Sequence, residues 1–220
     1  MVCARWIQRS AVTVWILTAF ASVNVSVMAQ SIGSGGLSGI KEFRSGGTFI
    51  VPDNVSTILV ELYGAGGGGG GTVTDGYGGC FGGEGAFSRS VIQVTPQATL
   101  DIVVGKGGGA GADGDPATNG GDGGNSHVSF DGSTLVIAYG GKGGQSGSHL
   151  TVVPGGFACT AAPGGGRDPS AMISHGGANG GGYGYQLVGF PITGFPSKNL
   201  VSSAGYPESA GGDGYVLLLW

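Results

Sequence analysis

Charge is scarce in this chain. Asp, Glu, Lys and Arg make up 10% of its 220 residues, and the net charge is −4. Nucleic acids and anionic membrane surfaces both select basic proteins, so the composition argues against either as a partner. Proline numbers only 9, and the glycines keep no strict three-residue period, which excludes a collagen helix. No window sustains a 3.6-residue apolar period, so no helix is predicted. After the first 29 residues, every apolar run is interrupted before it reaches the roughly 20 residues needed to cross a bilayer as a helix.

Signals of catalysis are missing too. The sequence has no Gly-x-Ser-x-Gly elbow and no His-Glu-x-x-His pair. Gly105-Lys106 and Gly141-Lys142 are each followed by glycine, where a phosphate loop needs Ser or Thr to reach magnesium. His127, His149 and His175 form no close-spaced metal pair with one another or with cysteine. His127 is placed at the start of a strand, the other two in loops. The expected protein is therefore not an enzyme and needs no cofactor. Asp113, Asp115 and Asp122 are the weak calcium candidates, because Gly108 to Asp113 matches the opening of a calcium-binding nonapeptide. Asp115 stands where that repeat needs a large aliphatic residue, so a solvated acidic loop is the expected role.

Glycine is absent until residue 33 and then abundant, at 52 residues. The stretch before it reads as a secretory signal: Arg5 and Arg9, an apolar core from Ala11 to Val23, and Val27-Met28-Ala29 as a cleavage site. The expected layout is a signal peptide at 1–29, a flexible leader at 30–39 and one glycine-rich domain at 40–220, secreted or held in the periplasm or at the cell surface. Losing the signal leaves 7 of the 9 basic residues against 13 acidic ones. It also leaves two cysteines, Cys80 and Cys159, each inside a glycine-rich segment. In an oxidising compartment a disulfide between them is the expectation, worth about 4 kcal/mol for so long a loop; two separate thiols are the alternative.

The segments between the glycines are β-like. Glu42 to Arg44 and Thr48 to Val51 flank a hairpin-like turn at Ser45-Gly46-Gly47. Thr57 to Tyr63, Ala86 to Val94, Thr99 to Val104, His127 to Phe130, Leu135 to Tyr139 and Tyr215 to Trp220 complete eight expected strands. Short strands of this number suggest an all-β fold, an antiparallel sandwich or jelly roll; they are shorter than the 9–11 residues an outer-membrane barrel requires. Glycine runs leave the strong strands after Tyr63, Val104 and Tyr139. A glycine helix of the polyproline type has three residues per turn and turns every N–H and C=O outward. A bundle of such polyglycine II-type helices satisfies those groups on neighbouring backbones, which only glycine allows to approach from several sides. Asn119-Gly120-Gly121-Asp122-Gly123-Gly124 has the spacing this requires, two glycines toward neighbours and one side chain outward.

Phe49-Ile50-Val51-Pro52, followed by Ile58-Leu59-Val60-Glu61-Leu62-Tyr63-Gly64-Ala65-Gly66-Gly67-Gly68, resembles the opening of glycine-rich domains in bacterial secreted proteins and phage tail fibres. Val103-Val104-Gly105-Lys106-Gly107-Gly108 and the closing Gly211-Gly212-Asp213-Gly214-Tyr215-Val216 fit the same pattern. A more distant similarity links the chain to the glycine-rich region of anaplastic-lymphoma-kinase-type receptors. The resemblance implies glycine helices packed beside strands, no catalytic residues, and a role in binding.

Together these readings predict a recognition or adhesion module for glycans or a cell surface. The alternative is a self-packing component of an extracellular matrix or envelope. Aromatic rings on the glycine loops are the candidate contacts, chiefly Tyr77, Tyr183 and Tyr185, because stacking suits sugars and apolar partner surfaces. Oligomeric state and ligand identity are left open by the sequence.

Overall fold

Alternation in the strongest β-forming run sets the architecture. In Thr57–Tyr63, Ile58, Val60 and Leu62 point to one side and are fully buried; each contributes on the order of 1.5–3 kcal/mol by leaving water. The computed structural model describes residues 38–74, 78–148, 162–180 and 204–220. These residues lie within one compact unit, Gly36–Trp220.

Nine strands are found among them: β1 (Ile40–Phe43), β2 (Gly47–Ile50), β3 (Thr57–Tyr63), β4 (Phe87–Gln93), β5 (Thr99–Val103), β6 (Ser126–Phe130), β7 (Ser133–Ala138), β8 (Ile173–His175) and β9 (Tyr215–Leu219). They form two antiparallel sheets, β1-β9-β3-β4-β8 and β2-β5-β6-β7. The protein is thus all-β and sandwich-like, and the described residues contain no helix. No helix of the described residues is long and apolar enough to cross a membrane. Phe43, Phe49, Ile58, Leu62, Leu100, Val128, Val136 and Leu218 meet in the core between the sheets.

Two expectations are corrected here. Ser45-Gly46-Gly47 does not close a hairpin: β1 pairs with β9 and β2 with β5, so the turn carries the chain from one sheet to the other. Phe43 and Phe49 flank that crossing and are both buried in the shared core. His175 lies in β8 rather than in a loop; its ring stacks on Phe87 at 6.5 Å. A three-residue edge strand is too short for alternation to reveal.

Register puts the glycine runs that follow β3, β5 and β7 at one end. Tyr63 pairs with Phe87 and Tyr215, Val103 with His127, and Ser126 with Ala138. Hence β3, β5 and β7 finish where β4, β6 and β9 begin. Ser126 joins the two sheets at that junction: its Oγ donates to the Tyr63 carbonyl at 2.6 Å and accepts the Gly105 N–H at 3.0 Å.

Candidate recognition surface on the glycine bundle

The run Gly64 to Gly71 is the axis of the bundle, and its hydrogen bonds repeat every third residue. Gly64, Gly67 and Gly70 donate to the carbonyls of Ala86, Gly83 and Cys80; Ala65, Gly68 and Gly71 donate to Gly124, Gly121 and Thr118; Gly66 and Gly69 donate to Gly212 and Ser209. Their carbonyls accept with the same period. Ala65, Gly68 and Gly71 receive N–H groups from Gly141, Gly144 and Gly147, Gly66 and Gly69 from Gly108 and Gly111, and Gly67 and Gly70 from Gly205 and Glu208.

The axis therefore has six neighbouring segments. The direction of stepping makes three antiparallel to it and three parallel. Every donor from Gly64 to Gly71 is satisfied without water, which buried backbone requires. Side chains are excluded by the same closeness. A Cβ on Gly67, Gly68, Gly69, Gly70 or Gly71 would collide with the carbonyl of Lys142, Gly109, Tyr206, Gln145 or Ala112 respectively.

On the outside of the bundle, side-chain oxygens take over from backbone carbonyls. Asn119, Asp122 and Asn125, three residues apart, accept the N–H groups of Ser146, Gly143 and Gly140 at 2.8, 2.9 and 2.9 Å. The outward residues of the Asn119 to Gly124 pattern thus reach sideways to stitch the next segment. Asp122 also binds Lys142 Nζ at 2.7 Å. The same clamp recurs where Asp213 accepts the Gly107 N–H at 2.8 Å and Lys106 Nζ at 3.3 Å. Lys142 and then the Gly143 N–H hold the Asp122 carboxyl below its ordinary range. For Asp213 the Gly107 N–H is the main cause, followed by Lys106 acting against partial burial.

Two of the three calcium candidates serve as hydrogen-bond acceptors within the bundle. Asp113 accepts the Thr72 N–H at 2.7 Å, and Asp122 is held by Lys142. Among the described residues no group of three or more His, Cys, Asp and Glu side chains is placed to hold a metal ion. Cys80 is buried, and its carbonyl accepts the Gly70 N–H. Tyr77, Tyr183, Tyr185 and Cys159 lie outside the described residues.

Some residues emerge only in three dimensions. Tyr206 is 52% exposed, and its ring meets Phe81 edge-on at 5.3 Å; its position between Gly205 and Pro207 was the only signal in the sequence. Glu61 is 1% exposed and ion-paired with Arg89 directly across the β3–β4 pair. They lie on the face of the five-stranded sheet that points away from the four-stranded one, among Leu59, Tyr63, Phe87, Tyr215 and Leu217. Burial, reinforced by Glu61, pushes the Tyr63 hydroxyl well above the usual tyrosine range, and burial with Glu42 does the same to Tyr215.

Strands feeding one end of a glycine bundle make the chain comparable with a known domain. A family model described as a glycine-rich domain matches residues 42–218. The chain belongs to that glycine-rich domain family. The match starts in β1 and ends in β9, so the glycine-rich domain takes in both sheets and the bundle at their end. No curated protein matches the sequence.

Proposed function

We propose that this glycine-rich domain is a secreted, non-enzymatic recognition or adhesion module that binds glycans or a cell-surface component. The observation that carries the reading is Tyr206, an exposed ring braced by Phe81. Its own backbone is fixed: its carbonyl accepts the Ser209 N–H at 2.9 Å and packs against Gly69. A ring held still on a rigid platform loses little entropy when a sugar face or an apolar surface stacks on it. Tyr77, Tyr183 and Tyr185 are the further contacts proposed from the sequence. Glycan-array and whole-cell binding of the purified protein test the reading, with Tyr206→Ala expected to weaken whatever binding is found. Blank results in both assays would overturn it.

The secretory signal, cleavage near Gln30 and the Cys80–Cys159 disulfide belong to the same proposal. So does kinship with secreted bacterial and tail-fibre glycine-rich domains. The bundle is proposed to be of polyglycine II type, a reading supported by its three-residue hydrogen-bond period and six-neighbour packing.

A second reading, self-packing in a matrix or envelope, is favoured by Gly109 and Gly166. Among the described residues nothing lies within 4 Å of where a Cβ would stand on either, so bare backbone there leaves room for another segment. Light scattering across a concentration series separates the two readings; a strict monomer would eliminate self-packing.

A further inference from the structure

One excursion of the chain, residues 162–180, sets β8 in the edge strand position beside β4, and two acids of opposite habit fasten it further. Its two arms bond each other through Gly177 N–H to the Gly165 carbonyl at 2.8 Å and Gly180 N–H to the Ala162 carbonyl at 2.9 Å. On the sheet side the fastening is Asp168, 4% exposed. Its carboxylate accepts the N–H and Oγ of Ser170 at 2.9 and 2.6 Å, and the Ile137 N–H on the edge of β7 at 3.2 Å.

On the bundle side the fastening is Glu84, 3% exposed. It ties both arms with its backbone: its N–H donates to the Ala178 carbonyl at 3.1 Å and its carbonyl accepts the Gly165 N–H at 2.8 Å. Among the described residues its carboxylate has only a long contact, from the Ala178 N–H at 3.4 Å. No cation among the described residues pairs with it. Lys142, on the adjoining segment, is committed to Asp122. Along the excursion, Arg167 is exposed and the His175 ring lies on Phe87. Arg89, farther along the same run as Glu84, is paired with Glu61. The axis beside Glu84, Gly64 to Gly67, carries no charge.

We propose that residues 162–180 form a pH-responsive strap, docked on the bundle while Glu84 is protonated and loosened as Glu84 ionises. Burial raises the proton affinity of Glu84 above its ordinary 4.5, and the Ala178 N–H offsets this only in part. Burial acts on Asp168 in the same direction, but there the hydrogen bonds from Ser170, Ile137 and Ala171 outweigh it, so this carboxyl titrates below its ordinary 3.8. A group whose docked-state pKa is raised stabilises docking at low pH and loses that effect as pH rises through the docked value. Asp168 has the opposite sign. The Asp168 contribution is complete above its ordinary 3.8 and that of Glu84 below its ordinary 4.5, so the strap is tightest between those values and loosens as pH rises through the docked Glu84 midpoint. This holds whether or not the protein binds a glycan.

Hydrogen exchange of the intact protein between pH 4 and pH 8, corrected for intrinsic rates, tests the strap. Protection in 162–180 should fall with rising pH while β3 and β9 keep theirs. The loss should reach about tenfold for each pH unit between the docked and undocked Glu84 midpoints. Glu84→Gln should keep the strap docked and abolish the pH dependence. Carbon-detected NMR of the Glu84 carboxyl gives an independent readout, with a midpoint expected above 4.5. Equal protection at pH 4 and pH 8, wild-type pH dependence in Glu84→Gln, or a midpoint at or below 4.5 would each overturn the proposal.

Discussion

The Lys142 carbonyl oxygen occupies the place where a Cβ on Gly67 would be. Both belong to backbone, so neither can swing aside. Gly67→Ala should cost about 1–3 kcal/mol or more, the range for overpacking a filled interior. Gly109→Ala meets open space and should instead be neutral or stabilise by about 0.4–1 kcal/mol through the unfolded chain. Urea denaturation of the two variants makes the comparison; similar losses in both would mean that packing does not explain the glycines.

Glu61 and Arg89 should behave as a unit. Arg89→Met leaves a carboxylate buried without its partner and should cost about 3–5 kcal/mol, whereas the double variant Glu61→Leu/Arg89→Met should be near neutral or more stable. A double-mutant cycle in denaturant measures this coupling. Additive losses would show the two residues to be independent.

Asp122 does two jobs that substitutions can separate. Asp122→Asn keeps an acceptor for the Gly143 N–H and loses only the charge opposite Lys142, an exposed pair that salt screens. Asp122→Ala leaves the N–H open as well and should cost more, about 0.5–1.5 kcal/mol at most. Amide exchange at Gly143 should rise in the alanine variant and stay close to wild type in the asparagine one.

Acid should weaken the fold through the carboxyls that are held low. Asp122, Asp168 and Asp213 all titrate below their ordinary 3.8 in the folded protein. Their contribution is complete above that value and is lost as pH falls through the folded pKa of each. Denaturation midpoints measured from pH 5 to pH 2 should therefore decline, less steeply in Asp168→Asn. A midpoint that rises toward pH 2 would contradict the assignment.

The proposed Cys80–Cys159 bridge predicts that neither thiol is alkylated in the folded, secreted protein until it is reduced. Reduction should then lower stability by about 2–4 kcal/mol. Alkylation of both cysteines in unreduced, denatured protein would exclude the bridge.

Much of the framework was legible because it is local. The β-formers of Thr57 to Tyr63 mark a strand, alternation in Thr99 to Val104 marks a buried and an open face, and glycine runs begin where such strands end. The spacing of Asn119 and Asp122 signalled a three-residue repeat. Its partners lay out of local reach, since Asp122 serves Gly143 across 21 residues and Asp213 serves Gly107 across 106. The turn at Ser45-Gly46-Gly47 misled for the same reason. Its residues are those of a hairpin, but the strands on either side are claimed by β9 and β5. Tyr206 and Glu84 gain their roles from neighbours 125 and 94 residues away, Phe81 and Ala178, and no local pattern announces such pairs.

The place of β9 has a consequence for the order of assembly. This strand, last of the nine along the chain, lies between β1 and β3, and Gly66 and Gly69 on the bundle axis donate to Gly212 and Ser209 just ahead of it. During synthesis neither the five-stranded sheet nor the axis can close until those residues have been made. Contacts of such long range slow folding, so the five-stranded sheet and the axis are completed last, whereas the four-stranded sheet has all its strands as soon as β7 is made.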